Sequence, residues 1–386
     1  MRAVTIALAV GLALTSTLAS GPAARAQDFS TKAPFAVLMD HETGTVLFQK
    51  EAEERLEPAS MAKLMTIAVV FDEISRGRLT MDEEFFISEK AWREGGTTSG
   101  GSTMFANVNS RIRVEDLVRS VIIQSGNDAA IALAEGIGGT EETFANIMNR
   151  KAEELGLDGS HFTNATGLPD PDQYSSARDL ADLGRHIIRD YPDWYHYFSE
   201  PEMTWNNIRQ PNRNSLVEMG IGVDGLKTGH TQAAGYGIVA STTQGGRRLI
   251  AVLHGLASER ERAEEGRKLI TWGTRGFELV TLYEGDEIVG WANVYGGAEG
   301  SVPLVGKDKI ELFMPRGARD CPTGTISYDG PLRPPVDEGA QVATLNLFCN
   351  GDAVQQTPLF AGKTVEKGGI VRQASDALKQ LALGWL

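Results

Sequence analysis

After Pro58 the chain runs almost without polar interruption from Met61 to Phe71, broken only by Lys63 and Thr66. The run is too long, and too poor in turn-forming residues, to be one strand. It predicts a buried helix opening near Ser60, which needs other elements packed around it. At 386 residues the chain has room for two domains, one with a core able to enclose such a helix.

The rest of the pattern is mixed. Residues 35–39 and 45–49 flank His41-Glu42-Thr43-Gly44 and predict a β-hairpin with a glycine turn. Helical spacing recurs over 114–124, 127–137, 141–155 and 177–190. Residues 233–241 and 247–253 read as two strands about Thr243-Gln244-Gly245-Gly246, followed by a helix over 258–275. Beyond Val280, short apolar runs at 288–295, 309–314 and 341–348 predict a small all-β domain joined through 278–284. From Ile370 to Leu386 helical spacing returns. Val371, Ala374, Leu378, Leu381 and Trp385 share one stripe, and Arg372, Gln373, Asp376, Lys379 and Gln380 fall opposite.

The N-terminus has the form of an export signal. Arg2 precedes an apolar run from Ala3 to about Ala19, then come Gly21, Pro22 and the small-x-small triplet Ala24-Arg25-Ala26. The run is short for a permanent membrane span. Removal of residues 1–26 takes Arg2 and Arg25 with it and moves the net charge from −14 to −16. That acidity excludes nucleic acid as a natural partner, because phosphate backbones call for clustered Lys and Arg. Cys321 and Cys349 fit a disulfide in an exported protein and equally fit two buried thiols.

Three short motifs carry chemistry, each present once: Ser60-Met61-Ala62-Lys63, Ser125-Gly126-Asn127 and Lys227-Thr228-Gly229. A serine hydroxyl needs an adjacent base to become a nucleophile. An i, i+3 spacing puts Lys63 on the same helical face as Ser60, and the helix N-terminus favours negative charge growing there. Lys63 can serve as base if burial beside a second cation, Lys227, depresses its pKa. Ser125, between two helices, reads either as a helix N-cap or as a proton relay, with Asn127 holding Lys63 and the substrate amide. Lys227-Thr228-Gly229 precedes a predicted edge strand. It reads as a polar turn, or as a cation, a carboxylate contact and a glycine that admits substrate backbone. Each triplet alone is weak. Their order and their separations of 65 and 102 positions make the set specific to acyl transfer through Ser60.

Other chemistries find no support. The histidines at 41, 161, 186, 196, 230 and 254 lack ligand spacing, so no metal is expected, nor any cofactor. Gly362-Lys363-Thr364 lacks the upstream glycine of a phosphate loop, and no G-x-S-x-G elbow occurs.

The triplet set marks penicillin-binding proteins and class A β-lactamases. The chain resembles, more closely, the low-molecular-mass penicillin-binding proteins that are D-alanyl-D-alanine carboxypeptidases. The likeness extends through Pro58 to Lys63, Gln124 to Ala129, Gln173 to Asp179 and Val223 to Thr231. It implies an α+β fold. A signal peptide (1–26) would precede a catalytic domain (27–280) with an antiparallel sheet flanked by helices. A small β-sandwich-like domain (281–367) and an amphipathic helix (368–386) would follow, the helix lying on the membrane surface or packing on the β domain. It also implies that Ser60 attacks the bond between the last two D-alanines of a peptidoglycan stem peptide, with Lys63 accepting its proton. The backbone N–H groups of Ser60 and His230 would form the oxyanion hole. Arg213 and Arg262 match positions that help hold the substrate carboxylate, or serve as surface ion-pair partners. Penicillins would trap Ser60. The segment Gly95 to Met104, richer in Gly, Ser and Thr than in such relatives, is expected near the site. A serine β-lactamase, a D,D-endopeptidase and a catalytically dead wall-binding protein are the alternatives. The β-lactamase would need a deacylating Glu that is not evident. An exported enzyme on the outer face of the cytoplasmic membrane is the expected setting.

Overall fold

The computed structural model describes residues 4–6, 29–244, 246–316, 321–349, 351–370 and 372. The backbone divides into two compact units. One comprises Phe29–Glu42 with Phe48–Arg275, and the other is built on Thr43–Leu47 and the chain from Gly276 onward.

The first unit is organised on an antiparallel sheet. Its strands are β1 (Phe35–Asp40), β2 (Val46–Lys50), β3 (Val223–Thr231), β4 (Gly235–Gln244) and β5 (Arg247–Leu256), in the order β2-β1-β5-β4-β3. Helices cover both faces. They are α1 (Lys63–Ser75), α2 (Val114–Ile123), α3 (Asn127–Gly138), α4 (Glu141–Leu155), α5 (Ala177–Asp190) and α6 (Glu259–Gly276). Gly184 of α5 lies over Val239 and Ile250, whereas Gly273 of α6 lies over Leu38 and Leu249. Leu249 and Ile250 are consecutive in β5 and point to opposite faces, so the two helices sandwich the sheet. Side-chain caps set where helices begin: Thr140 Oγ1 accepts from Thr143 N at 3.1 Å, and Ser176 Oγ accepts from Asp179 N at 3.0 Å. The apolar run after Pro58 becomes α1, buried from Lys63 through Phe71.

Several local expectations change. Lys227-Thr228-Gly229 lies inside β3 rather than ahead of it, and β3 is an edge strand. Two short antiparallel strand pairs were not anticipated by periodicity: Glu84–Phe86 with Arg111–Arg113, and the hairpin Glu202–Trp205 with Ile208–Pro211. The second turns at Asn206 and Asn207, both at positive φ, which Asn tolerates better than most residues.

The second unit is all β. Strands β6 (Phe277–Tyr283), β7 (Ile288–Asn293), β8 (Ser301–Val305), β9 (Ile310–Pro315), β10 (Pro322–Ser327), β11 (Gln341–Cys349) and β12 (Asp352–Ala361) form two sheets. One has the order β10-β11-β12-β8-β7, with Val4–Ile6 beside β10, and the other pairs β6 with β9. Alternate residues such as Leu345, Leu347, Leu304 and Leu312 fill the core. Cys321 and Cys349 are joined by a disulfide, with Cα atoms 5.0 Å apart. The anticipated C-terminal helix falls outside the described residues, apart from its first turn at Ile370 and Arg372.

Candidate active site

Ser60 and Lys63 stand one turn apart at the head of the buried run. The turn is a 3-10 helix over Ala59–Ala62, and the α-helix proper begins at Lys63. Side chains three apart eclipse on such a turn, and Lys63 Nζ lies 3.0 Å from Ser60 Oγ. Lys63 is wholly buried. Its Nζ also donates to Asn127 Oδ1 at 2.7 Å and to the Thr166 carbonyl. Both of those atoms can only accept. A neutral amine has two N–H bonds and one lone pair, so satisfying the two acceptors leaves the lone pair for Ser60.

Burial makes that neutral form accessible. Loss of hydration pushes the Lys63 pKa down to about 7, against the opposing pull of the Asp128 and Glu141 carboxylates. The repulsion between the two lysines is expressed in Lys227. Burial, Lys63, Arg213 and Arg262 hold Lys227 well below the usual lysine range.

The carbonyl of Thr166 is a partner that no motif announces. Asn164 Oδ1 accepts from Thr166 N, Thr166 Oγ1 and Gly167 N, which ties the loop into a tight turn. Ala165 is pinned by Thr66 Oγ1 at 2.7 Å and by Glu141 at 3.2 Å. Gly167 has φ +75°, and a Cβ there would meet the Ala59 carbonyl at 2.0 Å. Only glycine lets this loop lie against the serine turn.

Ser125 does not cap α3. The N-cap is Gly126, without a side-chain bond. Ser125 instead sits at φ +72°, and its buried Oγ has no hydrogen-bond partner among the described residues. The segment Gly95 to Met104 reaches the neighbouring residues: the Ser102 carbonyl accepts from Asn127 N at 2.8 Å.

The edge strand β3 closes the other side. A Cβ at Gly229 would meet Pro58 O at 3.0 Å, Met61 Cγ at 3.1 Å and Ala59 Cβ at 3.2 Å. The space at Gly229 is therefore taken by the serine turn, not left for substrate backbone. Lys227 and Thr228 are buried, and Lys227 Nζ donates to the Thr228 carbonyl at 3.1 Å. His230 is exposed and stacks on Tyr236 with ring centroids 3.9 Å apart. Arg262 is buried, pairs with Glu259 at 3.0 Å and donates to the Arg213 carbonyl at 3.3 Å. Its ion pair thus reaches from a buried guanidinium to a largely exposed carboxylate. Arg213 is exposed and makes no ion pair among the described residues. Arg213 and Arg262 both lower the Lys227 pKa, so cationic side chains gather on this side of the site.

Residues 22–257 match the family described as D-alanyl-D-alanine carboxypeptidase. The chain belongs to this family. Residues 277–367 match the C-terminal domain of penicillin-binding protein 5. Among curated relatives, the D-alanyl-D-alanine carboxypeptidase DacC of Escherichia coli is 39% identical over 92% of this chain and 91% of its own length. The solved penicillin-binding protein 5 of Haemophilus influenzae covers 88% of this chain and 99% of its own, at 36% identity and a TM-score of 0.75. Penicillin-binding protein D2 of Listeria monocytogenes, solved in its ampicillin-bound form, covers 64% of this chain and 98% of its own, with 26% identity and a TM-score of 0.55. As a D-alanyl-D-alanine carboxypeptidase, this chain is a serine-type hydrolase.

Proposed function

We propose that Ser60 is the nucleophile and Lys63 its base in cleaving the terminal D-alanine from peptidoglycan stem pentapeptides. The observation that carries this is the bonding of Lys63, with two N–H positions committed to acceptors and the third direction facing Ser60 Oγ at 3.0 Å. Ser60 Oγ bonds to the carbonyl carbon of the penultimate D-alanine as its proton passes to Lys63. Charge growing on the carbonyl oxygen is met by the backbone N–H groups of Ser60 and His230, each such donor being worth about 3 kcal/mol. Ser125 delivers a proton to the departing nitrogen, and Asn127 holds Lys63 and the substrate amide. Thr228 receives the terminal carboxylate, supported by the charges of Lys227, Arg213 and Arg262. As the C–N bond breaks D-alanine leaves, and water then hydrolyses the ester on Ser60.

β-Lactams present a similar carboxylate and a strained amide, so they would acylate Ser60. The ampicillin-bound relative supports this reading. Residues 1–26 act in this proposal as an export leader. Residues 27–280 form the catalytic domain and 281–367 the β domain, while 368–386 place the enzyme on the outer face of the cytoplasmic membrane, where its substrate lies.

Mass spectrometry of the penicillin adduct, together with D-alanine release from a pentapeptide, tests the assignment. Mass added at Ser60 and release of free D-alanine are expected. An adduct elsewhere removes Ser60 from its role. Penicillin released at many turnovers per second would make the chain a β-lactamase instead.

A further inference from the structure

Asp128 follows Asn127 directly, is fully buried in the first turn of α3, and has no part in the steps above. Four donors converge on it. Oδ1 accepts from Met104 N at 2.9 Å and Ala129 N at 3.0 Å, and Oδ2 accepts from Thr103 Oγ1 at 2.6 Å and Ala106 N at 3.1 Å. Three of the four come from the end of the Gly/Ser/Thr-rich segment and the residues after it. The same segment touches the site again where the Ser102 carbonyl accepts from Asn127 N.

We infer that Asp128 is a positioning residue that clasps the Gly95–Met104 segment against Asn127 and supplies the negative charge faced by Lys63. The inference rests on the acyl-transfer reading. Asn127 is the link between the two tasks: its backbone is fixed by the clasped segment, and its Oδ1 accepts from Lys63 at 2.7 Å. A glycine-rich segment has much backbone freedom to lose. Several charge-assisted hydrogen bonds to one buried carboxylate are an economical means of ordering it.

The charge has a separate effect. Lys63 is acted on by the carboxylates of Asp128 from α3 and Glu141 from α4, shares its surroundings with the buried amine of Lys227 from β3, and bonds to the uncharged Ser60, Asn127 and Thr166 carbonyl. Both carboxylates favour the ammonium form and so oppose burial. Without Asp128, Lys63 would lose its proton at lower pH while the segment came loose. An asparagine there cannot restore the clasp, because its NH2 would face one pair of donors whichever way it turned.

Acylation by a fluorescent penicillin, followed against pH in the full chain, separates the two tasks. Asp128→Asn is expected to slow acylation at pH 8 by at least about 10-fold and to move the rising limb to lower pH by about one unit. Thr103→Ala removes one donor and no charge. It is expected to raise KM for a soluble pentapeptide by about 5-fold with the limb unmoved. A slower Asp128→Asn enzyme whose limb stays in place overturns the charge role. An unchanged KM in Thr103→Ala overturns the clasp, and decides the matter alone if Asp128→Asn does not fold. If the wild type takes no penicillin at Ser60, it is the acyl-transfer reading that fails. If it labels normally and both variants behave like it, only this inference does.

Discussion

At the scale of single residues, the proposed reaction depends on one amine being neutral. Lys63 is held at a pKa of about 7 by burial, and only its deprotonated form can take the Ser60 proton. Acylation is therefore expected to rise with pH through 7 and level off above about 8. Two units below its pKa, at pH 5, about 1% of the amine is neutral, so the rate falls about 100-fold. Stopped-flow mixing with a labelled penicillin reads this directly, and a flat profile from pH 5 to 8 removes Lys63 as the base. Ser125 offers a second residue-scale outcome. Its left-handed backbone carries a strain of about 1 kcal/mol that glycine lacks, and its hydroxyl leaves no stranded partner when removed. Ser125→Gly is expected to leave the fold as stable or up to about 1 kcal/mol more stable, while D-alanine release falls at least about 100-fold. Denaturant melts and turnover would be measured on the same sample, and unimpaired turnover refutes the relay. The side chains proposed to react were legible in the sequence because motif spacing marks them. Thr166 was not, since its carbonyl is common to every residue and only the loop's path brings it to Lys63. Asp128 left a faint sign: an acidic side chain opening the apolar helix Asn127–Gly138 has to find donors somewhere.

At the scale of elements, an edge strand is pressed against the helical turn that carries Ser60. The pattern around 223–231 hid this, because Val223-Asp224-Gly225 breaks alternation just where β3 bulges against β4. The strand therefore begins four residues before the motif rather than after it, and Lys227 lies inside it. The long helices were legible from periodicity. The short strand pairs were not, since three or four residues carry too little pattern and their pairing is set by the elements they cover. Gly229 tests the strand-to-turn contact. A methyl group there meets three atoms of the serine turn at 3.0–3.2 Å, including a backbone carbonyl that cannot swing aside. Gly229→Ala is expected to slow penicillin acylation about 10-fold or more while lowering stability by only about 1–2 kcal/mol. Full acylation in the variant would mean that the contact does not set the reacting geometry.

At the scale of the whole chain, two compact units invite separable tests. The Cys321–Cys349 disulfide lies within the β unit and closes 28 positions of chain. Replacing both cysteines with serine is expected to cost that unit about 3 kcal/mol and leave penicillin acylation of Ser60 unchanged. Calorimetry beside labelling reads both, and acylation that falls with the bond would tie the β unit to the reaction. The end of the chain concerns location. Ile370, just ahead of the C-terminal stripe, is 86% exposed. No helix among the described residues is long and apolar enough to cross a membrane. A stripe of Val371, Ala374, Leu378, Leu381 and Trp385 would instead lie in the headgroup layer, Trp385 at the interface and Lys379 and Arg372 toward anionic lipid. Deleting 370–386 is then expected to shift the enzyme from sedimenting with anionic vesicles to the supernatant, with turnover on a soluble pentapeptide unaltered. High salt should weaken the binding of the intact chain only in part, since apolar burial persists when charge is screened. If the truncated enzyme still sediments, the stripe packs on protein and the membrane role is lost.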